Sequence, residues 1–241
     1  MVEKMEIKIF STIEGAKNAI GLAVIIDVLR ACTTIPVLFD KGAVEIIPVR
    51  TLDEALAYEK KGFVLVGEGE HGQAHDAFHH INSPSEVVNE DFTGKRIVLR
   101  SNNATQAIMD AAKSEDTVLA SFVNLNAVVD YIRKNKPKVV SLVALGRLGE
   151  RGLEDDECAG AIKSILENKP YDFEDMKKRV SVCDCAVLVR ETLGKPKDVD
   201  MGLEVNSYPI VPRVDTENKI KVIRPYFEIQ ENNNKRLLNR S

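Results

Sequence analysis

The stretch Ala23-Val24-Ile25-Ile26-Asp27-Val28-Leu29-Arg30-Ala31-Cys32-Thr33-Thr34-Ile35 decides the fold. Its apolar run ends on a carboxylate, and a guanidinium follows three residues later. An unbroken apolar run fits a strand covered on both faces, as in a parallel sheet, and the threonine-rich continuation fits a turn into a helix. Asp27 is then expected at the carboxyl end of a strand, where open α/β sheets keep their ligand sites. The same residues also admit a plainer reading, in which Asp27 caps the next helix and Arg30 pairs with it at the surface.

The pattern repeats outward from this segment. Short β-branched runs at Met5–Phe10, Leu22–Ile26, Val44–Pro48, Val64–Gly67, Arg96–Leu99, Thr117–Ala120 and Lys138–Ala144 alternate with helical patterns. This alternation predicts an α/β fold, a mostly parallel or mixed sheet sandwiched between helices. Thr51-Leu52-Asp53-Glu54 is a capping box; the stripe of Ala55, Leu56 and Tyr58 follows it, and Gly62 closes the helix. Asn126 similarly precedes Ala127, Val128, Val129 and Ile132. Tyr171–Leu193 reads as helices packed on the core, and Met201–Phe227 as irregular or β structure closing the domain, with no evident chemistry in either. Residues 1–229 are expected to form one α/β hydrolytic domain of at most two subdomains, with the motif-bearing part at 5–166. The polar, Asn-rich run 230–241 reads as a disordered or appended tail.

Composition excludes several classes. The chain has 241 residues, 44% of them hydrophobic and 29% charged, enough to bury a sizeable core. A net charge of −4 with both signs well mixed gives no field for nucleic acid or an anionic membrane, so an anionic partner must be held locally. The first ten residues lack the apolar core of a signal peptide, and no run approaches the roughly 20 apolar residues that span a bilayer. A cytoplasmic protein is expected, with its assembly left open, a homo-oligomer included. The GxGxxG and GxxxxGK[ST] phosphate-binding turns are absent. Cys32, Cys158, Cys183 and Cys185 are expected to stay reduced, and their spacing with His71, His75, His79 and His80 matches no familiar zinc module.

The unusual polar residues follow the ends of the expected strands, and in a parallel sheet those ends would meet at one cleft. Asp27 and Arg30 follow one strand, Glu68 the next, with Asn82 and Ser83 beyond it; Arg100, Ser101, Asn102, Asn103 and Thr105 follow another; Asn124, Arg147, Arg151, Glu154 and Asp155 follow the last two. Asp27, Arg30, Glu68 and Asp155 are the candidate catalytic residues. Asp27, Glu154 and Asp155 are hard oxygen ligands suited to Mg²⁺, which binds one or two carboxylates and fills its shell with water and substrate oxygens. Arg147 with Asn82, Ser83, Ser101, Asn102, Asn103, Thr105 and Asn124 can hold the oxygens of a small phosphorylated anion. Carboxylates for a metal together with donors for an oxyanion point to phosphoryl hydrolysis. Glu154-Asp155-Asp156-Glu157 also fits a plain acidic first helical turn.

Two phosphatase chemistries fail on the residues. A Cys-x5-Arg cradle on Cys32 needs arginine where Leu38 stands, and a DxDx[TV] motif needs aspartate at Leu29. Cys32 is expected to pack beside the site.

With these residues in view, the chain resembles the 2-phosphosulfolactate phosphatases. Ile25-Ile26-Asp27-Val28-Leu29-Arg30-Ala31-Cys32-Thr33-Thr34-Ile35 is similar to that family's first motif; Gly67-Glu68 with Asn82-Ser83-Pro84 resembles its second, and Leu153-Glu154-Asp155 with Cys158-Ala159-Gly160 its third. The resemblance implies a Mg²⁺-dependent hydrolase converting 2-phospho-3-sulfolactate to 3-sulfolactate and phosphate, on the route to coenzyme M. The chain departs from the family at Ser101-Asn102-Asn103-Ala104-Thr105, where the family reads Thr-Thr-Asn-Gly-Thr, and at Ala77-Phe78-His79. Ala104 in place of glycine is expected to be costly if the turn needs a positive φ. Two alternatives follow from the departures: a phosphatase for another small phosphorylated carboxylic acid, or a non-catalytic anion-binding relative.

Overall fold

A computed structural model describes residues 5–227, so the expected tail at 230–241 lies outside the described residues. Ten strands form one mixed sheet: β1 (Glu6–Ser11), β2 (Gly21–Ile26), β3 (Glu45–Val49), β4 (Val64–Gly67), β5 (His80–Ile81), β6 (Arg96–Arg100), β7 (Ser114–Ala120), β8 (Val139–Ala144), β9 (Val211–Glu217) and β10 (Ile220–Tyr226). The seven expected strands are present to within three residues at either end. No helix among the described residues is long and apolar enough to cross a membrane.

The strand order is β1-β8-β2-β7-β9-β10-β3-β6-β4-β5. β1, β8, β2 and β7 are parallel to one another, and so are β3, β6, β4 and β5. Between these halves sits the antiparallel hairpin β9–β10, turning on Asn218 and Lys219, both at positive φ, as a two-residue hairpin demands. The C-terminal β structure, expected to close the domain, therefore does so at the centre of the sheet. It meets each half through a single register pair, Val118 with Arg213 and Ile223 with Ile46.

Three antiparallel steps reverse the sense of the second half relative to the first. A flat sheet would then set the ends of β2 and β4 at opposite edges. Six steps separate them in the strand order, and a twist of roughly 20–25° per step turns one strand about 120–150° against the other. The two halves thereby come to share one core, in which Ile25, Leu119 and Val143 pack with Ile46, Val66, Ile97 and Leu99 around the helices Ala31–Asp40 and Ala104–Asp110. The outer faces carry separate cores, one under the helices Leu125–Asn135 and Leu153–Leu166 and a smaller one under Leu52–Glu59.

Local chemistry explains the elements that frame the site. The capping box closes as expected, Glu54 N donating to Thr51 Oγ1 at 3.2 Å and Thr51 N to Glu54 Oε2 at 3.1 Å. In the helix Ala31–Asp40, Pro36 has no N–H for the Cys32 carbonyl, and Ser121 Oγ donates to that carbonyl instead at 3.1 Å. Ala104 opens its helix and is not among the residues at positive φ, so the expected cost of replacing glycine is not incurred there.

Asn124, expected to bind substrate, is fully buried and braces the fold. Its Nδ2 donates to the carbonyls of Leu119 at 3.1 Å and Ile210 at 3.0 Å, and its Oδ1 accepts from Ser121 N at 2.9 Å. It thus ties the end of β7 to the entry of β9. Asn124→Ala leaves these backbone groups buried and unpaired, at a cost of about 1–3 kcal/mol. A lowered urea midpoint is expected, and an unchanged midpoint would remove Asn124 from this role.

Candidate functional site

A cavity of about 590 Å³ opens where the strand ends converge. Its polar wall is supplied by Asp27 and Arg30 after β2, Glu68, Glu70 and His71 after β4, Asn82 after β5, Asn102 and Asn103 after β6, and Gly146 and Arg147 after β8. Leu29, Leu188, Val189 and Leu193 supply apolar lining. The last three come from the region between 171 and 193 that the sequence offered only as packing. A second cavity of about 640 Å³, containing Glu154, Arg151 and Cys183, shares Arg147, Leu148, Cys185 and Leu188 with the first.

The four acidic candidates do different things. Asp155 accepts from the backbone N–H of Val28 at 2.7 Å and of Gly146 at 2.8 Å, one with each carboxylate oxygen, so it pins the ends of β2 and β8 together. Gly146 sits at φ +60, and a Cβ there would lie 2.0 Å from the Glu150 carbonyl, so only glycine fits. Glu68 is saturated as well: Oε1 accepts from Asn102 N (2.9 Å) and Nδ2 (3.1 Å), Oε2 from Arg30 Nη2 (3.3 Å) and Asn82 Nδ2 (3.2 Å). Glu154 turns to the second cavity, with Cys183 Sγ 3.5 Å from its Oε2. Of these four, only Asp27 lines the main cavity with an oxygen to spare, since Oδ1 accepts from Ala31 N at 3.2 Å and Oδ2 accepts no hydrogen bond among the described residues.

Arg30 is buried and does not pair with Asp27. Its Nη1 lies 3.2 Å from Asp198 Oδ2, and its Nη2 meets Glu68 and the Gly72 carbonyl, the latter at 2.7 Å. The remaining predicted residues divide between lining and bracing. Asn103 donates to the Gly146 carbonyl at 2.9 Å. Ser101 and Thr105 satisfy each other, Thr105 N donating to Ser101 Oγ at 3.1 Å, and neither lines the cavity. Ser83 donates to Asp198 Oδ1 at 2.7 Å. Arg100 reaches the Glu68 carbonyl, and Arg151 pairs with Asp156 at the surface. The Arg147 side chain forms no ion pair among the described residues; its guanidinium reaches only the His71 carbonyl, at 3.5 Å. Cys32 is fully buried with its thiol pushed well up by burial, a packing residue.

Asp198 is the residue the sequence did not reveal. It is fully buried, yet it stands in Lys195-Pro196-Lys197-Asp198, which reads as exposed loop. The one available signal was the Val199 beside it.

Burial pushes the Asp27 carboxyl up to about 7, helped by the nearby charges of Glu68 and Glu154. Asp155 is also held well above the usual carboxylate range, by burial and then by Glu154 and Asp27. The cluster thus concentrates negative charge beyond what Arg30 offsets. Among the described residues no group of three or more His, Cys, Asp or Glu is arranged to hold a metal, so Asp27, Glu154 and Asp155 do not form a ready-made ligand triad. Two oxygens do suit a hard cation: Asp27 Oδ2, and the buried Asn82 Oδ1, which has no partner.

An α/β protein with a carboxylate facing a cavity of amide and guanidinium donors has the equipment to handle a small charged ester. The sequence matches the family described as 2-phosphosulpholactate phosphatase over residues 9–195, and the chain belongs to that family. A probable 2-phosphosulfolactate phosphatase of Thermotoga maritima is 44% identical over 145 residues, covering 60% of this chain and 62% of that protein. Those of Synechocystis and Caldanaerobacter subterraneus are 38% and 30% identical, over 70% and 79% of this chain and 72% and 86% of their own lengths. The match to the Thermotoga relative thus spans somewhat under two thirds of that protein.

The raised carboxyl of Asp27 carries a stability consequence. A carboxyl group whose folded value lies above its ordinary 3.8 favours the folded chain fully below that value and loses the contribution as pH rises through about 7. In chelator, wild type should therefore lose stability relative to Asp27→Asn between pH 5 and pH 8, by on the order of a few kcal/mol. Thermal melts of both chains at the two pH values test this, and parallel behaviour would refute it.

Proposed function

We propose that this chain is a phosphomonoester hydrolase that cleaves 2-phospho-3-sulfolactate to 3-sulfolactate and phosphate, a step toward coenzyme M. The observation that carries the reading is the cavity of a family member in which the buried carboxylate of Asp27 keeps an oxygen free while both oxygens of Glu68 and of Asp155 are engaged. Water attacks phosphorus and the ester P–O bond breaks, with the two fragments leaving as phosphate and the hydroxy acid.

In this reading the chain's own residues bind, orient and exclude water. Arg30 and the second N–H of the Asn103 side-chain amide, whose first goes to the Gly146 carbonyl, hold phosphate oxygens. Arg147, free of any carboxylate, takes the substrate's further anionic group, for which a guanidinium fork is suited. The apolar lining of Leu29, Leu188, Val189 and Leu193 limits the water held in the cavity. Asp27 Oδ2 and Asn82 Oδ1 would hold Mg²⁺, leaving its other positions to water and substrate oxygens; when bound, the ion withdraws charge from the phosphoryl group. Work on a small, charged metabolite fits a cytoplasmic setting.

One observation favours a second reading. Arg147 is a single unpaired cation, so a phosphorylated acid with one further anionic group, such as phospholactate, fits the cavity as well as the sulfonated substrate.

Phosphate release measured with and without Mg²⁺ on 2-phosphosulfolactate, phospholactate and phosphoglycolate decides among these readings. Mg²⁺-dependent turnover is expected, falling about 10²–10⁴-fold in Asp27→Asn. Because the ligating carboxylate must shed its proton, the apparent Mg²⁺ affinity should rise from pH 6 to pH 8. Full activity in Asp27→Asn would remove that residue from the reaction, and silence on all three esters would favour an anion-binding role.

A further inference from the structure

We propose that Asp198 is a positioning residue of the site, holding Arg30 in the orientation that receives the anion; as a statement about turnover this rests on the phosphatase reading, but its geometry does not. Arg30 reaches the cavity from the turn after β2, and its side chain is 2% exposed. Two carboxylates grip it from separate parts of the chain, Glu68 at 3.3 Å and Asp198 at 3.2 Å. Glu68 lines the cavity beside the arginine, whereas Asp198 stands behind it, fully buried and absent from the cavity wall. A long flexible guanidinium held at one Nη alone keeps rotational freedom; held at both, its plane is fixed.

Asp198 is itself fixed. Its Oδ1 accepts from Ser83 Oγ at 2.7 Å and Ser85 N at 3.0 Å, leaving Oδ2 to Arg30. The Asn82-Ser83-Pro84 motif thereby works in two directions: Asn82 Nδ2 donates to Glu68, and Ser83 donates to Asp198. One short segment orients both carboxylates that hold the arginine. The residue completing the grip lies on the helix Pro196–Gly202, just past the 9–195 segment that matches the family.

Asp198→Asn keeps shape and can still accept from Ser83, but it faces Arg30 with no charge. We expect inorganic phosphate, measured by calorimetry, to bind about tenfold more weakly to Asp198→Asn, with KM raised by a similar factor and kcat changed less. In a cycle with Arg30→Lys, the double variant should bind phosphate no more weakly than Arg30→Lys alone, because Asp198 acts through the arginine. Asp198→Glu should restore part of the loss. Additive losses, unchanged phosphate binding in Asp198→Asn, or a wild-type chain that binds no phosphate would each overturn the proposal. Phosphate binding that follows the expected pattern in a chain that turns over none of the esters would uphold the positioning role and reject the phosphatase reading.

Discussion

A guanidinium buried between two carboxylates is the constraint on which the rest of this molecule depends. Removing a charge from water costs several kcal/mol unless it is paired and its donors are satisfied. Arg30 meets that condition only if the turn after β2, the turn after β4 and the helix Pro196–Gly202 arrive at one point. The three are far apart in sequence, and the two turns belong to halves of the sheet that run in opposite senses. The twist of the sheet is what makes the meeting possible, and the ion pairs make other arrangements costly.

Around that point the polar residues fall into a framework and a working remainder. Asp155, Ser101, Thr105 and Asn124 spend their hydrogen bonds on backbone and on one another, and Glu68 on its amide and guanidinium neighbours. Among the buried groups of the wall, little is left unsatisfied: one oxygen of Asp27 and one of Asn82, beside the part-exposed fork of Arg147 and the exposed carboxylate of Glu70. A site of this kind is chemically specific because most of its polar atoms are already occupied. Like Asp155, the carboxylate left over is one whose burial makes ionisation expensive, so a cation beside it would be met by a group that gains from it.

Much of this was legible in the sequence, for physical reasons. Buried parallel strands are continuous apolar runs, so β2, β7 and β8 announced themselves, and the residues after them marked the cleft. Two features were hidden. The hairpin β9–β10 mixes charged residues and prolines with a few apolar ones, and nothing local says that it is inserted between two parallel halves, since that depends on which strands are left to pair with it. Asp198 sits among lysines and a proline, where its burial is decided by an arginine 168 residues away. Local sequence likewise could not separate Asp155 from Asp27. Both follow motif positions, and only the distances show one carboxylate tied to amides and the other left open.

The central hairpin also sets an order in time. Strands β9 and β10 come last in the described chain, yet they occupy the middle of the sheet, touching each half at a single register pair. As the chain emerges during synthesis, each half can pair its own strands first, and the join waits for residues 211–226. The cavity lies where structure from the two halves meets. The cavity can therefore be completed only once the two halves are joined, after most of the strands have found their neighbours.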